Sequence, residues 1–194
     1  MPIQIPRLYP ILDASFLPAL ERGAYLTRVV RELEDAGVTL LQYRNKQGGV
    51  EETMSDAGAM RAAATSQLRL IMNDSPELAV RAGFDGVHVG QEDISPALAR
   101  SIVGPDGIVG VSTHNRAQLE IAAEQPVDYI AIGPVFATAS KKNPDNSQDH
   151  LATKADILPS EFKFVKRKRD KITNEAKIVS LDKFREKREE KNKI

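Results

Sequence analysis

Short apolar runs and longer stretches of helical period take turns along the first two thirds of the chain. Arg7–Asp13 (RLYPILD) reads as a strand. Between Glu21 and Ala36, the residues Tyr25, Leu26, Val29, Val30 and Leu33 share one face of a 3.6-residue period and predict a helix that Gly37 stops. Val38–Tyr43 predicts a second strand, Glu51–Ser66 an alanine-rich helix, Leu68–Asn73 a third strand and Ser75–Ala82 a short helix. Gly86–Val89, Ile108–Ser112 and Tyr129–Gly133 predict three more strands, separated by helices over Ser95–Val103 and Arg116–Glu124. Six strands alternating with helices imply a parallel sheet with helical crossovers. The strands are apolar on both faces (LLQY, LRLIM, IAIG), as in sheets covered on both sides. An open doubly wound sheet and a closed barrel both satisfy that pattern.

The polar residues separate the two. They collect where strands end: Gln42, Arg44 and Lys46, then Asn73 and Asp74, then His88, Gln91 and Asp93, then Ser112 and His114, then Thr138, Ser140 and Lys141. In a barrel these positions converge on one catalytic face. An open sheet would concentrate its site at a switch point and would usually carry a glycine-rich loop after the first strand. Here Asp13-Ala-Ser-Phe-Leu-Pro follows that strand, without G-x-G-x-x-G. The barrel is favoured.

Charge divides the chain. The net charge is zero, but residues 1–150 carry 13 Lys and Arg against 19 Asp and Glu, while residues 151–194 carry 14 against 8. All 12 glycines lie before residue 150. A composition boundary therefore falls near Asp145–His150. Without cysteines there is no disulfide, thiolate metal site or cysteine nucleophile. The start shows no signal-peptide pattern and no apolar run approaches a membrane span. These features fit a reducing cytoplasm, and a cytoplasmic protein is expected.

Arg44 and Lys46 leave one strand at alternate positions and suit a polyanion such as a diphosphate. Taken alone, the pair reads more readily as two solvated surface charges. Asp74 and Asp93 each follow a buried strand and make a natural Mg²⁺ pair, because Mg²⁺ takes carboxylate and phosphate oxygens. The alternative is that each caps a following helix. Thr138, Ser140 and Lys141 offer hydroxyls, backbone N–H groups and a cation after a Gly133-Pro134 turn, as an anion cradle would, though taken alone they read as an ordinary polar loop. His88 and His114 read as hydrogen-bonded structural histidines.

Five blocks in this order resemble the thiamine phosphate synthase family: Gln42-Tyr-Arg-Asn-Lys46, Asn73-Asp74, Asp85-Gly-Val-His-Val-Gly-Gln-Glu-Asp93, Gly110-Val-Ser-Thr-His114 and Gly133-Pro-Val-Phe-Ala-Thr-Ala-Ser-Lys141. The resemblance covers about residues 7–145. It implies a (β/α)₈ TIM-type barrel that joins hydroxymethylpyrimidine diphosphate to thiazole phosphate and releases pyrophosphate. It implies Mg²⁺ on Asp74 and Asp93, and diphosphate on Arg44, Lys46, Asn73 and Lys141. Gln42 and Ser112 would touch the diphosphate or the pyrimidine, and Thr138 and Ser140 the thiazole phosphate. Among these, Arg44, Lys46, Ser112 and Lys141 would be catalytic. Asn45 and Ser140 depart from the family's usual residues but keep the polarity.

From Asn146 onward the resemblance stops. The expected architecture is an incomplete barrel of about six βα units over residues 1–145, then a Lys-rich tail, extended or helical, over 146–194. A truncation, frameshift or fusion near residue 145 would account for it. The open sheet would expose two edges, which a second copy of the chain could cover. Two alternatives remain open: an inactive remnant of the enzyme, and a thiazole tautomerase relative. The tail's basic charge also raises nucleic acid as a partner, but a solvated tail is the expectation.

Overall fold

The computed structural model describes residues 4–133 and the backbone of 177–180. Six strands run in sequence order through it: β1 (Ile11–Asp13), β2 (Leu40–Arg44), β3 (Arg69–Asn73), β4 (Gly86–Val89), β5 (Ile108–Thr113) and β6 (Tyr129–Ile132). Five helices connect them: α1 (Arg22–Asp35), α2 (Val50–Ala63), α3 (Pro76–Arg81), α4 (Pro96–Val103) and α5 (Arg116–Ala123). Each strand pairs in parallel with the next, so the order in space is the order in sequence. The predicted elements are present, with ends shifted by a few residues. The largest shift is at β1, where only Ile11–Asp13 of the predicted Arg7–Asp13 pairs as strand. Pro10 offers no N–H to a ladder.

Local chemistry sets the boundaries. Gly37 adopts φ 85°, and its N–H and that of Val38 bond back to Glu34 and Leu33, closing α1 in the left-handed turn that glycine takes without cost. Ser75 and Ser95 cap α3 and α4, each accepting from an N–H three residues on, and a proline follows each at the first helical position.

The strands face two environments. Outward residues such as Leu41, Tyr43, Leu70, Met72, Val87 and Val109 join α1–α5 in one large core. Inward residues Leu40, Ile71, Ile108 and Tyr129 form a second, smaller core with Ile5 and Tyr9. That inner core reports the curvature. A flat six-strand sheet would hold β1 and β6 about 24 Å apart at about 4.8 Å per step. Yet the hydroxyls of Tyr9, two residues before β1, and Tyr129, on β6, lie 2.8 Å apart. The sheet therefore curls until its first and sixth strands meet through their side chains. This is a curled six-stranded parallel sheet, an open half-barrel.

A seventh strand was not anticipated. The backbone of β7 (Lys177–Ser180), within the segment expected to be a separate tail, pairs antiparallel with β6. The far edge of β6, expected to be open, is thus covered over these four residues. Antiparallel pairing is not the parallel continuation of a (β/α)₈ barrel.

Candidate active site at the strand ends

The C-terminal ends of β1–β4 carry Arg44, Lys46, Asp74 and Asp93 of the charged residues singled out in the sequence, with Asp13 beside Arg44. Arg44 closes β2 in register with Asp13 of β1, and its guanidinium donates to the Asp13 carboxylate. Burial pushes the Asp13 carboxyl up. The side-chain and backbone bonds from Ser15, with Arg44, outweigh that and hold it below the usual carboxylate range. Two residues beyond β2's end, Lys46 donates to Asp74, just past β3. Each cation thus pairs with a carboxylate while staying partly exposed.

Asp74 takes φ 68°, in the left-handed region uncommon outside glycine, and its N–H bonds the His88 carbonyl on β4 at 2.8 Å. Ser75, not Asp74, caps α3, and Ser95, not Asp93, caps α4. Both aspartates are therefore spared the capping role. Asp93 accepts from the Gly90 N–H at 2.6 Å and neighbours Asp74. Burial pushes the Asp74 carboxyl up, Lys46 pulls it back, and Asp93 pushes it up again, leaving it above the usual range. Two carboxylates crowded in this way favour a cation between them. Their hard oxygens fit Mg²⁺, and among the described residues no cluster of three or more His, Cys, Asp or Glu forms a fuller ligand set. A metal here would complete its shell with phosphate oxygens and water.

Beneath this charged rim lie the inward polar residues. Gln42 is 2% exposed, and its amide nitrogen has no hydrogen-bond partner. That partner is missing among the described residues, and a buried donor left unmade costs about 1–3 kcal/mol. Asn73 ends β3 in register with His88. Ser112 on β5 is held twice. Its hydroxyl is 2.8 Å from His88 Nε2, and its carbonyl accepts from Gln91 at 2.5 Å. His114 bonds the Gly133 carbonyl through Nδ1. Both histidines are hydrogen-bonded within the fold, as expected of them. Thr138, Ser140 and Lys141 fall outside the described residues.

Three residues here were not singled out in the sequence. Asp13 obeys the same strand-end rule as the others and was legible on that ground. Tyr129 and Tyr9 were not, because they sit inside apolar runs and only the curl joins them.

A family model described as thiamine monophosphate synthase matches residues 8–156. The chain belongs to this family. The stretch matched begins where the sequence resemblance begins and runs past its expected end at Asp145. The chain is 52% identical over 143 residues to a thiamine-phosphate synthase of Koribacter versatilis, covering 74% of this chain and 68% of that protein. It is 41% identical over 145 residues to a thiamine-phosphate synthase of Agrobacterium fabrum, covering 72% and 62%. The solved structure of thiamine phosphate pyrophosphorylase from Pyrococcus furiosus superposes with a TM-score of 0.57 at 27% identity, covering 67% of this chain and 61% of that one. The chain thus spans about two thirds of the length of these relatives. Among the described residues no helix is long and apolar enough to cross a membrane.

Proposed function

We propose that residues 7–133 form the pyrimidine-diphosphate half of a thiamine phosphate synthase site, built on the first six units of a TIM-type barrel. The observation that carries this reading is the convergence of Lys46, Asp74 and Asp93 at one point of the rim. In the reaction, the bond from the pyrimidine methylene carbon to the diphosphate oxygen breaks, and its electron pair leaves on pyrophosphate. The lone pair of the thiazole phosphate nitrogen forms the new bond to that carbon. Thiamine phosphate and pyrophosphate result.

The difficulty is charge on the leaving group, so donors and cations matter more than a general base. Arg44 and Lys46 bring two cations to the diphosphate, and their carboxylate partners hold them near the mouth before it arrives. Asp74 and Asp93 would hold Mg²⁺, which supplies neutralising charge to the departing pyrophosphate. Gln42, Asn73 and Ser112 offer neutral polar groups deeper in the curl, to the diphosphate or to the pyrimidine. Thr138, Ser140 and Lys141 would take the thiazole phosphate, with Lys141 also reaching the diphosphate. The cytoplasm is the compartment that fits.

Barrels of this type commonly seat a phosphate on the loops after their last two strands. The described residues hold six parallel strands. The proposed diphosphate and Mg²⁺ ligands, Lys141 apart, lie among the described residues, so the chain should bind pyrimidine diphosphate with Mg²⁺. Calorimetry with each ligand on the full chain, beside an assay of pyrophosphate release, tests this. Absence of Mg²⁺-dependent pyrimidine diphosphate binding would overturn the site. Tight thiazole phosphate binding with fast turnover would show that residues beyond 133, or a second subunit, complete it.

A further inference from the structure

The two aspartates of the rim are anchored through the main chain, and the cation beside them is not. Asp74 sits on backbone in the left-handed region, φ 68°, tied to β4 by its N–H on the His88 carbonyl. The Asp93 carboxylate is held by the Gly90 N–H at 2.6 Å. Glycine at position 90 permits that close approach, since a Cβ there would stand 3.1 Å from Asp93 Oδ2. Lys46 differs on both counts. It lies two residues beyond β2, its side chain is half exposed, and its ammonium rides on a flexible four-carbon stem. That ammonium donates to Asp74 Oδ2. Arg44, the other cation singled out on this rim, is engaged with Asp13.

Charge counting gives the arrangement a use. Asp74 and Asp93 together carry two negative charges, and Lys46 offsets one of them. A divalent cation on Asp74 would share a single carboxylate with the ammonium, and the two positive charges would repel. Relief requires another anion. A diphosphate is one: its oxygens can accept from the ammonium and complete the shell of the metal together. The stem of Lys46 lets the ammonium pass from Asp74 to an arriving phosphate oxygen while both carboxylates stay where the backbone holds them.

Resting on the site proposed above, we infer that Lys46 is a built-in counter-ion of the Asp74–Asp93 pair, opposing a divalent cation that arrives alone and yielding Asp74 when a diphosphate arrives with it. Metal and diphosphate then bind as partners. By linkage, each tightens the other by the same factor.

Titrations of the full chain with Mn²⁺ test this. Mn²⁺ takes the same oxygen ligands as Mg²⁺, and its unbound form is counted by electron paramagnetic resonance. Wild type should bind Mn²⁺ alone weakly, and pyrimidine diphosphate should tighten that binding. Lys46→Met should bind Mn²⁺ alone roughly three- to tenfold more tightly than wild type, as expected on lifting one partly exposed like charge. The tightening by diphosphate should shrink by a similar factor. Lys46→Arg keeps the charge and should follow wild type. Adding Asp74→Asn to Lys46→Met should remove the gain. If methionine unsettles the loop, Lys46→Gln should give the same result. A Lys46→Met chain that binds Mn²⁺ alone no more tightly than wild type would overturn the inference, because a lysine serving only the diphosphate behaves that way. A gain that survives Asp74→Asn would overturn it as well. A wild type that binds no pyrimidine diphosphate beside Mn²⁺ fails the proposed function instead, and the titration of Lys46→Met with metal alone still decides the counter-ion.

Discussion

The two rims of the curled sheet use the same residue types for opposite ends. At the N-terminal rim, Asp85 precedes β4 and accepts from the Leu70 N–H of β3 at 2.8 Å, with Arg61 of α2 and Arg69 beside it. Two units later, Asp128 precedes β6 and accepts from the Val109 N–H of β5 at 2.7 Å, with Arg100 of α4 beside it. Each is an aspartate stitching its strand to the previous strand and to a helix. Arg100 adds carbonyls of Gly104, Gly107 and Pro126 to its partners. At the C-terminal rim, Arg44 and Lys46 each meet one carboxylate and are left partly exposed. Asp74 is held in a left-handed conformation with a carboxyl neighbour. One rim satisfies its charges within the fold. The other places Asp74 beside a second carboxylate, Asp93.

That contrast can be broken. The largest effect should come from Asp85→Ala, which strands the part-buried Leu70 N–H and removes the carboxylate partner of Arg61 and Arg69. Loss of about 3 kcal/mol of stability is expected in urea unfolding, with ligand affinity in the surviving folded protein unchanged. Equal effects on stability and affinity would erase the distinction between the rims. Next, Asp74→Asn or Asp93→Ala should weaken Mg²⁺-dependent pyrimidine diphosphate binding by ten- to a hundredfold, with little change in melting temperature. Asparagine suits position 74 because it tolerates the left-handed backbone. Arg44→Ala should follow, weakening pyrimidine diphosphate binding much more than thiazole phosphate binding in calorimetry. A matched loss for both ligands would make Arg44 a structural residue.

The smallest effect concerns pH. The Asp13 carboxyl lies below its usual range in the folded chain, so its ionised form stabilises the fold. That contribution is fully present above the unfolded value of about 4 and is lost as pH falls through the lower folded value. The destabilisation caused by Asp13→Asn should therefore be constant near neutral pH and shrink in acid. A difference that grew in acid would contradict the assignment.

How much of this was legible in the sequence depended on distance along the chain. Helices and strands show their own periodicity, so α1, α2 and the six parallel strands were readable, and strand-end polar residues followed from them. What pairs with what was not. Asp13 meets Arg44 31 residues on, and Lys46 meets Asp74 28 residues on. Asp56 looks like one polar residue in an alanine-rich helix. It is in fact 3% exposed, gripped by Arg22 of α1 and by the Tyr43 hydroxyl at 2.5 Å. Nothing local announces a buried carboxylate between two helices and a strand. β7 escaped for a related reason: Lys177–Ser180 lies in a charged segment, and its order comes from the edge of β6 rather than from its own pattern.

The sequence-ordered sheet has a kinetic consequence. Every parallel strand pair joins chain neighbours, so a chain emerging from the ribosome can dock each βα unit on the one before it. The Tyr9–Tyr129 contact is of another kind, spanning 120 residues, and it can form only once the sixth strand has arrived. Closing so long a loop is entropically late. Tyr9→Phe should then speed unfolding in stopped-flow experiments while leaving the refolding rate nearly untouched. The curl would be the final act of folding.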